Sequence, residues 1–229
     1  MVFSGFQKLD LVNYPSHVAA TVFTGGCNLR CPYCHNPQLA KGILEEQHPQ
    51  EEVLEYLERR KSMLEGLVIS GGEPTLHDLV PFIEKVRALG LSVKLDTNGL
   101  RPQVLEKWLG LGLLDYVAVD IKASPAGYLV LGASSADEVS QNLGRSLEAL
   151  RKWGSSWEVR TTYTEKLIPD SEIADLVNLG GDVPVWYLQA FNPAVTLNPD
   201  WANLSSPTAE KMQQVAQTMK TFGVNVIIR

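Results

Sequence analysis

Six short β-branched runs alternate with longer amphipathic stretches along this chain, and that alternation narrows the possible folds more than any other feature. The runs cover residues 17–24, 66–70, 91–96, 114–121, 157–163 and 184–190; the helical patterns cover 50–63, 78–89, 102–109, 136–153, 171–179 and 207–222. Val53, Leu54 and Leu57, and again Val80, Ile83 and Val86, recur at three and four residues, as in a helix that lays one face on a sheet. Thr75 to Asp78 and Ser134 to Asp137 supply capping groups ahead of two helices. Such a pattern predicts an α/β fold with parallel strands and right-handed crossovers. Periodicity alone fits an open doubly wound sheet as well as a barrel.

The residues at the strand ends separate the two. Each run closes, at its C-terminal edge, in a polar or glycine-rich group: Thr24-Gly25-Gly26-Cys27, Ser70-Gly71-Gly72-Glu73-Pro74, Asp96-Thr97-Asn98-Gly99, Asp120-Ile121-Lys122, Arg160 with Thr162, and Gln189. Barrels build their sites from these edges, each strand giving a residue or two. Eight strand-helix units occupy about 250 residues, so six units in 229 predict an incomplete (β/α)6 TIM-like barrel. The expected organisation is a single domain over 1–229, with an extension at 1–17, the core at 18–190, and a C-terminal helix and tail at 191–229.

Composition sets outer bounds. An apolar fraction of 45% with 20% charged residues is that of a globular domain. A formal charge of −6 argues against a nucleic-acid partner, since phosphate-binding surfaces are basic. The first ten residues lack the cationic and apolar regions of a secretory signal. No apolar run reaches the roughly 20 residues of a membrane span. The expected setting is the cytoplasm, without a membrane partner, where thiols stay reduced.

All three cysteines fall in the run Cys27-Asn28-Leu29-Arg30-Cys31-Pro32-Tyr33-Cys34. No thiol elsewhere can serve as disulfide partner or fourth ligand, so a metal centre here would be held at three corners. Cubane iron-sulfur clusters ordinarily take four thiolates, and structural zinc sites are closed by four protein ligands. Three inert thiols in one loop are a further alternative. Zinc completed by His35 has suitable ligand types, but the adjacency of His35 to Cys34 makes tetrahedral ligation by both awkward.

With Cys-x3-Cys-x2-Cys spacing and an aromatic residue before the last cysteine, the run resembles the signature of the radical S-adenosylmethionine (radical SAM) superfamily. The resemblance implies a 4Fe-4S cluster on Cys27, Cys31 and Cys34 whose fourth iron binds the amine and carboxylate of the cofactor's methionine. Gly71 and Gly72 let backbone approach a ligand, because no Cβ intervenes, and Glu73 supplies an acceptor. In the superfamily this Gly-Gly-Glu-Pro element receives the methionine amino group. The segments around Asp96 to Gly99 and Asp120 to Lys122, each readable alone as a turn or a surface ion pair, resemble the Asp-Thr-Asn-Gly and Asp-x-Lys elements of glycyl-radical-enzyme activases. There the lysine, here Lys122, pairs with the cofactor carboxylate, and the aspartates, here Asp96 and Asp120, help bind a monovalent cation. Asn98 belongs to the same cofactor-binding set. Arg160 and Gln189 stand where the family reaches the ribose or methionine end of SAM, and Tyr33 where it meets the adenine. His35, in Cys34-His35-Asn36-Pro37, would orient the loop, while His17, His48 and His77 read as structural or surface residues.

The implied chemistry is one-electron reduction of the cluster and homolysis of SAM to a 5'-deoxyadenosyl radical that abstracts hydrogen. The opening segment from Gly5 to Pro15 resembles that of anaerobic ribonucleoside-triphosphate reductase activating proteins. No cysteine remains for an auxiliary cluster. The expected activity is abstraction of a glycine Cα hydrogen in a partner glycyl radical enzyme, with electrons from a flavodoxin- or ferredoxin-type donor. The alternatives are activation of a different glycyl radical enzyme, or radical chemistry on a small molecule.

Overall fold

A computed structural model of the chain describes residues 1–43 and 47–229. In chain order the elements are β1 (Val2–Phe3), β2 (Gly5–Asp10), β3 (Ala19–Thr24), α1 (Pro37–Lys41), β4 (His48–Pro49), α2 (Gln50–Arg60), β5 (Gly66–Gly71), α3 (Val80–Ala88), β6 (Ser92–Thr97), α4 (Pro102–Gly110), β7 (Tyr116–Asp120), α5 (Ala136–Trp153), β8 (Ser156–Tyr163), α6 (Ile173–Gly180), β9 (Trp186–Ala190), α7 (Ala209–Lys220) and β10 (Val226–Ile228). The six expected strands are β3, β5, β6, β7, β8 and β9, each followed by helix, and the fold is α/β with mostly parallel strands. Two compact units divide the chain: Met1–Asn28, Gln38–Thr97 and Gln103–Val117 form one, and Leu29–Pro37, Asn98–Pro102 and Ala118–Arg229 the other.

In the first unit the strand order is β6-β5-β3-β2. β3 and β5 are parallel, with Val22 beside Ile69, and β5 and β6 are parallel, with Leu67 beside Val93. Leu67, Val68 and Ile69 are all fully buried. Burial on both faces is why β5 reads as an unbroken apolar run rather than an alternating one. β2 runs antiparallel to β3 along the edge, with Phe6 opposite Val22. The sequence marks this segment only as part of the extension at 1–17, because its middle residues are exposed and carry no alternating pattern. Tyr14 packs against Ala19, Val68 and Tyr116, and only glycine fits beside it: a Cβ on Gly66 would stand 2.7 Å from the Tyr14 ring.

The second unit carries the order β10-β9-β8-β7, with β8, β9 and β10 parallel. Its longest helix, α5, is bounded as the sequence indicates. Ser135 accepts from the Glu138 backbone N–H at 3.3 Å, and Gly154 closes the C-terminus at φ 68°. β10 was read as tail. Its three residues, two of them partly exposed isoleucines, are too few to show a strand period.

One capping expectation needs correction. Leu79 precedes α3 and makes no side-chain cap, and a proline in the helix's first turn removes one of the N–H groups a cap would serve. Thr75, read as part of a cap for α3, is buried and donates to Glu73, which caps the short turn Pro74–Leu76 instead.

Asp10 anchors the N-terminal edge. It is 1% exposed, and its carboxylate accepts from Thr21 Oγ1 at 2.5 Å, from the Val12 and Asn13 N–H groups at 2.9 Å each, and from Asn13 Nδ2 at 2.7 Å. Burial raises the pKa of this carboxyl, but the donors outweigh burial and bring it below the ordinary value. Replacing Asp10 by Ala should therefore cost about 2–3 kcal/mol in urea unfolding at neutral pH, because several donors lose a charged acceptor. The depressed folded pKa means that this contribution is present above the unfolded value of about 3.9 and fades as pH falls through the folded one. The gap between wild type and Asp10→Ala should shrink accordingly in acid.

Candidate functional site

In the first unit the ends of β3 and β5 lie side by side, with Thr24 beside Gly71. Gly71 has φ +116°, and a Cβ there would stand 2.4 Å from the Thr24 nitrogen; a Cβ on Gly72 would stand 2.0 Å from the Gly26 carbonyl oxygen. That bare backbone permits a tight seam. Gly72 N–H donates to the Thr24 carbonyl at 2.8 Å, and Glu73 N–H to the Gly26 carbonyl at 2.8 Å. Gly26 N–H in turn donates to Leu39 O at 2.7 Å. His77 Nε2 lies 2.8 Å from the Gly25 carbonyl oxygen, fixing the backbone just ahead of Cys27. Sequence reading had set His77 aside, since only the fold carries it to residue 25.

Glu73, 1% exposed, is fully committed at one oxygen. Its Oε1 accepts from Thr75 N at 3.1 Å, Thr75 Oγ1 at 2.6 Å and Thr97 Oγ1 at 2.7 Å. Three donors hold the carboxylate in one orientation. On β6, Asp96 receives a hydrogen bond from Lys94 Nζ at 2.6 Å. Lys94 was not singled out from the sequence, although a charge in a strand with apolar neighbours Val93 and Leu95 is the signal that marks it. Its side chain is fully buried, and its ammonium lies 5.7 Å from the Tyr116 ring centroid.

The second unit gathers Tyr33, Asp120, Lys122, Tyr128 and Arg160. Arg160 Nε donates to Asp120 Oδ1 at 2.8 Å, and Lys122 Nζ to Oδ2 at 3.3 Å. Burial raises the Asp120 pKa, but Arg160 and Lys122 outweigh it and hold this carboxyl well below the usual range. Burial also works against the Lys122 ammonium; Asp120, Tyr33 and Cys31 overcome it and raise its pKa well above the ordinary value. The Tyr128 hydroxyl accepts from the Lys122 backbone N–H at 2.9 Å, fixing the chain at that residue. Burial, with Cys31 adding to it, lifts the Tyr33 phenol well above its usual range, and its buried hydroxyl has no hydrogen-bond partner among the described residues.

The cysteine loop is braced from the C-terminal segment, which sequence analysis had left as tail. Asn198 N–H donates to the Pro32 carbonyl at 3.0 Å, and the Trp201 ring lies 6.0 Å from that of Tyr33 at 40°. Phe191 meets Trp201 edge-on at 6.2 Å. Within the loop, Cys34 N–H donates to the Cys31 carbonyl at 3.0 Å. Cys31 is buried, Cys27 and Cys34 are partly exposed, and none is in a disulfide. His35 is exposed. Asn98 is buried and accepts from Leu100 N–H at 3.1 Å, making the turn at Gly99. Gln189, on β9, is partly exposed. Among the described residues, no three His, Cys, Asp or Glu side chains are gathered tightly enough to hold an ion by themselves.

Three thiols unclaimed by any disulfide, with charged side chains at the strand ends, define an α/β protein equipped to hold a metal-linked cofactor. Residues 21–179 match the radical SAM superfamily, and the chain belongs to that superfamily. Membership implies a 4Fe-4S cluster and SAM. The donor set suits them: thiols are the ligand type of such clusters, and Lys122 offers positive charge to a carboxylate.

The chain is 30% identical, over 99% of its length and 95% of the other protein, to a provisionally named glycyl-radical enzyme activating enzyme of Methanocaldococcus jannaschii. It is 34% identical to pyruvate formate-lyase-activating enzyme of Listeria monocytogenes over 50% of this chain and 51% of that one. Among solved structures, a radical SAM methyltransferase from Sphaerobacter thermophilus shares the fold, with a TM-score of 0.69 at 16% identity over 96% of this chain and 68% of that one.

Gly72→Ala should weaken SAM binding, measured by calorimetry on reconstituted protein, by at least about tenfold, roughly the 1.4 kcal/mol of a modest main-chain displacement. Gly144→Ala, where a Cβ meets nothing within 4 Å, should bind as wild type and gain up to about 1 kcal/mol of stability from helix propensity. Asp120→Asn should cost about 2 kcal/mol at neutral pH, a charged hydrogen-bond partner being lost. The Asp120 contribution fades as pH falls below about 3.9 and the Lys122 contribution as pH rises above about 10.4. Chemical denaturation of wild type and variant should thus differ by a constant amount from about pH 5 to 9.

Proposed function

We propose that this enzyme activates a glycyl radical enzyme, abstracting a Cα hydrogen from one glycine of that partner, with anaerobic ribonucleotide reductase as the first candidate. The observation that carries the reading is the near end-to-end similarity to the M. jannaschii protein, joined to the opening segment and Cys34-His35-Asn36-Pro37. Cys27, Cys31 and Cys34 are the proposed thiolate ligands of the 4Fe-4S cluster. When bound, cluster and SAM supply the one-electron chemistry that generates the abstracting 5'-deoxyadenosyl radical.

The chain's own residues bind and orient. Gly71, Gly72 and Glu73 present backbone and a fixed carboxylate to the methionine amino group. Lys122, held forward by Asp120, meets the methionine carboxylate, and Tyr33 provides a flat apolar surface for the adenine. Asn98, Arg160 and Gln189 complete the cofactor contacts, Arg160 acting chiefly through Asp120. Electrons come from a flavodoxin- or ferredoxin-type donor, and the reaction takes place in the cytoplasm. No helix among the described residues is long and apolar enough to cross a membrane.

Anaerobic mixing with the partner, SAM and a reductant should give a glycine-centred doublet by electron paramagnetic resonance, with one deoxyadenosine formed per radical. Alanine at any of Cys27, Cys31 or Cys34 should abolish both. Deoxyadenosine release stimulated by a metabolite, with no protein radical on any glycyl radical enzyme offered, would overturn the activase reading in favour of a small-molecule substrate.

A further inference from the structure

The two aspartates that the family resemblance offers to a monovalent cation are each already matched by a cation of this chain. Asp96 holds the Lys94 ammonium at 2.6 Å. Lys94 and Asp96 are two residues apart on β6 and so share one face of the strand. The lysine side chain is 0% exposed, with an aromatic face, Tyr116, as its further neighbour. A side chain so enclosed cannot swing into water to vacate the carboxylate, and leaving Asp96 without it would strand a buried charge. Asp120 is engaged at both oxygens, Oδ1 by Arg160 at 2.8 Å and Oδ2 by Lys122 at 3.3 Å. A metal cation at either carboxylate would face like charge at close range and would compete with that charge for the hard oxygen donors it needs.

We infer that this enzyme binds SAM without a monovalent metal cation, and that the ammonium of Lys94 supplies at Asp96 the charge such an ion would otherwise bring. The inference rests on the reading that the chain binds SAM. Lys94 is thereby a positioning residue: it fixes Asp96 and touches neither cofactor nor reacting atoms. A tethered, desolvated ammonium is in place before the cofactor arrives, so no ion need be recruited from solution.

The experiment is titration of SAM into the reconstituted full-length enzyme by calorimetry, in buffers whose sole monovalent cation is potassium, sodium or choline. Wild type should give the same Kd in all three within about twofold, and sodium-23 relaxation should show no site that SAM alters. Lys94→Met should bind about tenfold or more weakly in choline and recover in potassium, as the vacated carboxylate accepts an ion. Lys94→Arg, which keeps the charge, should stay insensitive to the cation and serves where the methionine variant does not fold.

Wild-type affinity that falls about tenfold in choline and returns with potassium overturns the inference while leaving SAM binding intact. Lys94→Met with wild-type affinity in choline overturns the role given to Lys94. Absence of binding in every buffer overturns this inference together with the functional reading beneath it.

Discussion

The backbone seam between the end of β5 and the loop leading to Cys27 is the constraint on which the first half of the site depends. Two hydrogen bonds, from Gly72 to Thr24 and from Glu73 to Gly26, join the turn to that loop. They exist because residues 71 and 72 have no side chain to hold the strands apart. An alanine at either position would push that seam apart.

Within each unit the fold deals with buried charge locally. Each acid at a strand end has partners within its own compact unit, among them threonines for Glu73, Lys94 for Asp96, and Arg160 and Lys122 for Asp120. Ionised groups held by fixed donors lose little freedom when a charged cofactor arrives, which is how preorganisation favours binding. The cost of desolvation is met during folding. Beside Asp120, already matched by Arg160, Lys122 is a second positive charge.

Elements with strong local signals were legible. The six strand-helix units, the capped α5 and the glycine turns follow from burial periodicity and from φ values that only glycine readily adopts. The strand at 5–10 was not, because an exposed edge strand needs no alternation. Nor was β10, whose pairing comes from a neighbour distant in sequence. The same limit applied to side chains. His77 and Trp201 act on the cysteine loop from far along the chain, and nothing near them in sequence announces it.

What the sequence alone determined is the chemistry available: three thiols in eight residues, a bare Gly-Gly turn, and acids and bases at strand ends. Ligand type and backbone freedom are properties of residues and their immediate neighbours, so they survive without a fold. What only tertiary structure decided is how those charges are spent. Whether Asp96 faces a solvent ion or a buried lysine, and whether Arg160 meets a cofactor or holds Asp120, depends on distances across strands and on exclusion of water. Those quantities arise only when the chain has closed on itself, since Coulomb energy and desolvation are set by separation and burial rather than by order along the backbone.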